Sequence, residues 1–178
     1  MKFRLAYHVL LTGALTLSAC SATGYYSVGP FRGRVVDAGT KKPLAGAAVL
    51  AIWYKQALIG GFGGPPSLFY DAQEALTDAN GEFSLPGLHG FFLFSKVRGP
   101  EVIIFKPGYG SYPNFAPGDE WRDRLTAGQY TTIELPLART REMRLRSSDI
   151  NPVSVPDDKK REVLRLLHID HEELFPRR

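Results

Sequence analysis

The chain has 178 residues, 44% of them hydrophobic, with 18 glycines, 13 prolines and a formal charge of +4. That composition excludes a wholly disordered chain and favours a turn-rich all-β protein over a helical one. The charge excess is too weak for a nucleic-acid binder, and the one cysteine, Cys20, rules out a disulfide within the chain.

At the start, Lys2 and Arg4 precede an apolar stretch that reaches Leu17. It has the layout of a secretory signal, too short and wrongly flanked for a spanning helix. It closes on Leu17-Ser18-Ala19-Cys20, which resembles a bacterial lipoprotein signal. The resemblance implies removal of residues 1–19, which takes the charge from +4 to +2 with the loss of Lys2 and Arg4, and acyl chains on the sulfur and new amino group of Cys20. One chain alone is a marginal anchor, but two or three, at about 0.8 kcal/mol per buried methylene, hold a protein stably on a membrane. Lipidation also removes the only thiol from metal binding or nucleophilic chemistry. Ser21 rather than an aspartate follows, which by the same resemblance implies the outer membrane, with the domain lipid-anchored and facing the periplasm. Residues 20–30 are small, polar and glycine-containing, and read as a lipidated tether with Tyr25 and Tyr26 near the membrane surface.

From Phe31 short β-like runs alternate with turn chemistry. Residues 31–36 and 47–54, joined through 37–43, suggest a hairpin-like opening. Val49, Ala51 and Trp53 alternate with Leu50, Ile52 and Tyr54, and both sets are largely apolar, so this strand is expected to be covered on both faces. Residues 59–66, rich in glycine and ending Pro65-Pro66, form a loop. They lack the Gly-Lys-Ser/Thr ending of a phosphate cradle. Asn80-Gly81 between 74–77 and 83–85 is the strongest hairpin signal, and the later ligands of a calcium loop do not follow Asp78 and Asn80.

A second pair of strands is expected at 91–96 and 101–106, then a long polar and aromatic loop over 111–127, then a last strand over 130–137. Beyond 138 charges of both signs crowd together. Ser154-Val155-Pro156-Asp157 resembles a capping-box start, and Val163, Leu164, Leu167 and His171 fall on one helical stripe. Residues 139–178 are thus a charged extension carrying a short amphipathic helix, which either packs on the domain, docks a partner or lies on the membrane surface, the last made weaker by its mixed charge.

Gly33-Arg34-Val35-Val36-Asp37, then Lys42-Pro43-Leu44-Ala45-Gly46-Ala47 with Val49, then Thr77-Asp78-Ala79-Asn80-Gly81-Glu82-Phe83, and later Lys106-Pro107-Gly108-Tyr109 together resemble the carboxypeptidase regulatory-like domain. The resemblance covers 31–138 and implies a transthyretin-like (prealbumin-like) antiparallel β-sandwich of about seven strands. Its motifs are structural and carry no active site. The related hydroxyisourate hydrolases end in a Tyr-Arg-Gly-Ser tail, which Leu174-Phe175-Pro176-Arg177-Arg178 does not match.

No Gly-x-Ser-x-Gly elbow or His-Glu-x-x-His helix occurs. His168 and His171 with Asp170, Glu172 and Glu173 could gather round a metal, yet such spacing arises readily in a solvated charged tail, so neither a metal nor a cofactor is expected. The leading expectation is a non-catalytic envelope lipoprotein whose sandwich is a structural or protein- or glycan-binding module. Its contact surface would be the loops 59–69 and 109–121, with Tyr112, Phe115 and Trp121 as stacking aromatics unless they fold back over the sandwich. Two other readings remain open: an envelope hydrolase using Asp119 and Glu120, and a small-ligand carrier of transthyretin type.

Overall fold

A computed structural model describes residues 23–57, 66–93, 95–115, 125–150 and 152–176. Among them are eight strands: β1 (Thr23–Val28), β2 (Phe31–Asp37), β3 (Ala48–Ala57), β4 (Ser67–Leu76), β5 (Glu82–Leu85), β6 (Leu88–Leu93), β7 (Ser95–Phe105) and β8 (Tyr130–Leu135). Two helices follow, α1 (Arg141–Ser148) and α2 (Arg161–Leu174), with a single 3-10 turn at Asp157–Lys159 between them. The strands form three sheets, ordered β5-β2-β8, β4-β3-β7 and the two-stranded ribbon β1-β6. The described residues are therefore mostly β, with two short helices.

Side chains from both three-stranded sheets share one core: Phe31, Val35, Phe83, Ile133 and Leu135 from one side, Val49, Ala51, Trp53 and Ile104 from the other. On the opposite face of β3, Ala48, Leu50 and Ile52 are buried against Val155, Val163 and Leu166 of the helical layer. Strand β3 is thus central in its sheet and covered on both faces, as its two apolar sets require.

Several expectations are corrected. Residues 31–36 and 47–54 do not pair, because the connection 38–47 crosses between sheets. The turn at Asn80-Gly81 forms, with Asp78 Oδ1 accepting from Asn80 and Glu82 N–H, and Gly81 alone taking positive φ (+74°). Its flanking strands β4 and β5 nevertheless belong to different sheets, so it is a crossing rather than a hairpin. The ladder is not wholly antiparallel, since β8 runs parallel to β2 from Arg32↔Tyr130 to Asp37↔Leu135. Parallel neighbours need a long connection, and these two are the first and last strands of the paired sheets.

Thr23–Val28 lies within the expected tether but is strand β1, paired along its whole length with β6. Small polar residues read as linker until a partner strand supplies their hydrogen bonds. The ribbon continues the β2–β5 pair past Pro30 and Pro86, where prolines remove ladder donors. At this kink Gly87 has φ +89°, and a Cβ there would stand 2.1 Å from the Val28 carbonyl oxygen. Gln73 of β4 grips the same glycine, accepting from its N–H at 3.0 Å and donating to its carbonyl.

The C-terminal extension holds two helices where one was expected. Thr140 caps α1, its hydroxyl accepting from Met143 N–H at 3.1 Å. Ser154 caps nothing in this way; the N-terminus of α2 is instead capped from the sheet by Glu74 of β4. The Glu74 carboxylate oxygens accept from Glu162 and Val163 N–H at 2.8 and 2.7 Å, satisfying donors that a helix start leaves open. The buried stripe of α2 is Val163, Leu166 and Asp170, and His171 is exposed.

Candidate functional site

The ribbon β1–β6 sorts its side chains onto two faces. Tyr26 and Phe92 turn inward, with ring centroids 6.1 Å apart, and Tyr70 of β4 meets Phe92 edge-on at 5.1 Å. Burial raises the Tyr26 phenol above its usual pKa. Val28 and Leu88 on the same face join the core between the sheets. Lys55 lies 5.7 Å from the centroid of Phe92, a cation over an aromatic face.

On the outward face Tyr25 stands directly opposite Phe91, and they are 70% and 61% exposed. Ser27 opposite His89 is the next pair on that face. The face therefore runs from aromatic at the end nearer residue 23 to polar at the end where the ribbon joins the sheets. Adjacent large apolar groups left in water are uncommon without a use. The sequence groups Tyr25 with Tyr26, but strand pairing turns Tyr26 inward onto Phe92 and gives Tyr25 the outward neighbour Phe91 instead.

Beside the root of the ribbon is an open cleft of about 670 Å³, whose lining includes Val28, Phe31, Arg98, Glu101, Leu125 and Thr126. It sits where β7 departs from its register with β3: Tyr54 faces Arg98 and Ile52 faces Glu101, so Gly99 and Pro100 together occupy the level of Trp53. Such a bulge re-aims side chains. Trp53 packs against Phe31, ring centroids 6.1 Å apart, and its buried indole N–H has no hydrogen-bond partner among the described residues. Burial raises the Tyr54 phenol, with a smaller contribution from the nearby Glu101 carboxylate.

The residues expected to form a contact surface are dispersed. Tyr112 is only 3% exposed and belongs to the core between the sheets, its backbone bridged to Ile104 in both directions. It is a packing residue and offers no ring to a ligand. Phe115 is half-buried under Arg146, 5.4 Å from its ring centroid. Trp121, Asp119, Glu120 and Cys20 lie outside the described residues, as do residues 59–65 of the expected loop 59–69. Residues 67–69, also assigned to that loop, are in β4.

The acidic and histidine residues of α2 are committed elsewhere. Asp170 is 1% exposed and accepts from Arg144, from Ser148 Oγ at 2.9 Å and from Gly108 N–H at 3.2 Å. Arg144 also donates to Glu173 at 2.8 Å. Donation of its guanidinium N–H groups to Asp170 is the main reason the Arg144 pKa is raised. His168 pairs with Glu172 at 3.3 Å and His171 stacks on Phe175. Among the described residues no three His, Cys, Asp or Glu side chains converge as metal ligands.

Compared with protein-family models, curated proteins and solved structures, the chain matches none.

Proposed function

We propose that the protein is a non-catalytic lipoprotein of the cell envelope, anchored in the outer membrane through lipid on Cys20, whose paired sheets are a structural or binding module. The observation that carries this reading is Leu17-Ser18-Ala19-Cys20 standing three residues ahead of the first strand. We further assign the paired sheets a transthyretin-like arrangement. Its support is the shared core, the parallel β2–β8 pair, and the two motif segments 42–47 and 77–83 serving as crossings between sheets. The cleft at Phe31, Arg98 and Glu101 is the surface we assign to an envelope protein or glycan.

Cys20→Ala tests the anchor. In cells fed labelled palmitate, the substituted chain should carry no label and leave the membrane fraction, while the parent chain is labelled and sediments with membranes. Equal labelling of the two would overturn the proposal.

A further inference from the structure

Three Cα-to-Cα steps separate Cys20 from Thr23, so even fully extended they reach at most about 11 Å. A domain tied to a bilayer over that distance stands against the surface rather than at the end of a flexible lead. The part of the domain that arrives there is the end of the ribbon nearer residue 23, where Tyr25 and Phe91 stand side by side in solvent. Farther from the anchor the same face changes to Ser27 and His89. That order is the one a bilayer boundary selects, with aromatic rings at headgroup level and polar groups beyond it.

We propose that the outward face of the β1–β6 ribbon is a membrane-docking surface, which lays Tyr25 and Phe91 into the interfacial layer of the bilayer and fixes the orientation of the domain. This rests on the lipid anchor at Cys20 only for its reach argument; the exposed aromatic pair is an independent observation. The ribbon is held to the domain by Gln73 on Gly87 and by the Tyr70, Phe92 and Tyr26 contacts, so insertion of its outward rings orients what lies behind it. Lys55, over Phe92, is placed at the Tyr54–Ala57 end of β3. The Gly108–Asp170 contact lies toward the opposite end of β3, where Ala48 pairs with Phe105, and carries the second half of α2 with it. The docked orientation therefore turns the C-terminal end of α2 away from the membrane.

Because acyl chains would retain the protein on the membrane whatever the ribbon does, the experiment must read insertion rather than binding. Full-length chains carrying Tyr25→Trp or, separately, Phe91→Trp are isolated from membranes and placed in phosphatidylcholine vesicles with or without brominated acyl chains. The indole on either strand should be quenched several-fold more than the tryptophans of the parent chain, whereas Phe175→Trp, at the end of α2, should add no quenching. Parent-level quenching at both ribbon positions overturns the docking surface. If the unquenched chain is also dimeric in detergent, the face belongs to a second copy instead. Palmitate labelling of the same samples separates the two proposals. A labelled but unquenched chain overturns docking and leaves the anchor standing. An unlabelled but quenched one overturns the anchor and supports docking.

Discussion

The two faces of β3 are closed by different chemistry. Toward the opposing sheet, Val49, Ala51 and Trp53 enter a large apolar cluster completed by Phe31, Val35, Leu85 and Ile133. Toward the helices, Leu50 and Ile52 meet a smaller apolar cluster, and the layer is fastened by charged groups as well: Glu74 on the start of α2, Lys159 on Asp71 at 2.8 Å, and Asp170 joining α2 to α1 and to Gly108. A sheet-on-sheet core offers few backbone groups to satisfy, because the ladders already pair them. Helices laid on a sheet bring open N–H groups and charged ends, and these must find partners. The outer layer should therefore be the part that loosens first and responds more to pH.

The sharpest break of this contrast is Trp53→Ala, which empties a site at the centre of the inner core. It should cost about 3–5 kcal/mol and lower the urea midpoint of the whole molecule. Leu166→Ala, on the helical side, should cost about 2–5 kcal/mol. Its distinguishing result is hydrogen exchange that speeds up in α2 while β2, β3 and β8 stay protected. Uniform acceleration would show that the helical layer is not separable.

Asp170→Asn removes a buried charge from Arg144 and should cost about 1–3 kcal/mol, read as a lowered thermal midpoint, with exchange increased in α1 and α2 together. Gly87→Ala drives a methyl group into the Val28 carbonyl. It should detach the ribbon, seen as new protease cleavage near residue 87, while the inner core stays folded.

The smallest effects are in the pH response, and the two regions differ in sign. Thr40 N–H, together with the Thr40 hydroxyl, Gly39 N–H and Tyr109, holds the Asp37 carboxyl below its usual pKa. Its contribution is present above the unfolded value and disappears as pH falls through the lowered folded one. Burial raises Glu74 despite its bonds to Glu162 and Val163 N–H. Its ionisation opposes folding, so its contribution is full below the unfolded value and is lost as pH rises through the raised one. Asp37→Asn should thus cost more at neutral than at acid pH, and Glu74→Gln more at acid than at neutral pH. Urea midpoints measured across that range test both.

Much of the inner architecture was legible in the residues. The two apolar sets of β3 announced a strand covered on both faces, and Asn80-Gly81 marked a real turn. The partners across that turn were not legible, since the same turn residues serve a hairpin or a crossing and only the packing of two sheets chooses. The functional surface was harder still. Tyr112 looks available in a long polar and aromatic loop, yet it is buried through its bridge to Ile104, whereas Tyr25 and Phe91 are far apart in sequence and form a surface only when β1 pairs with β6.

What the amino-acid sequence determined by itself is local: where apolar periodicity makes strands, where glycine and proline turn the chain, and where Cys20 stands relative to the folded part. Tertiary structure alone decided which strands share a sheet, that Glu74 rather than a neighbouring serine caps α2, and which aromatics remain in water. The reason is physical. Turn and strand preferences act over a few residues, whereas ladder partners, cross-sheet caps and exposure depend on groups brought together from distant parts of the chain, and their choice is made by the core as a whole.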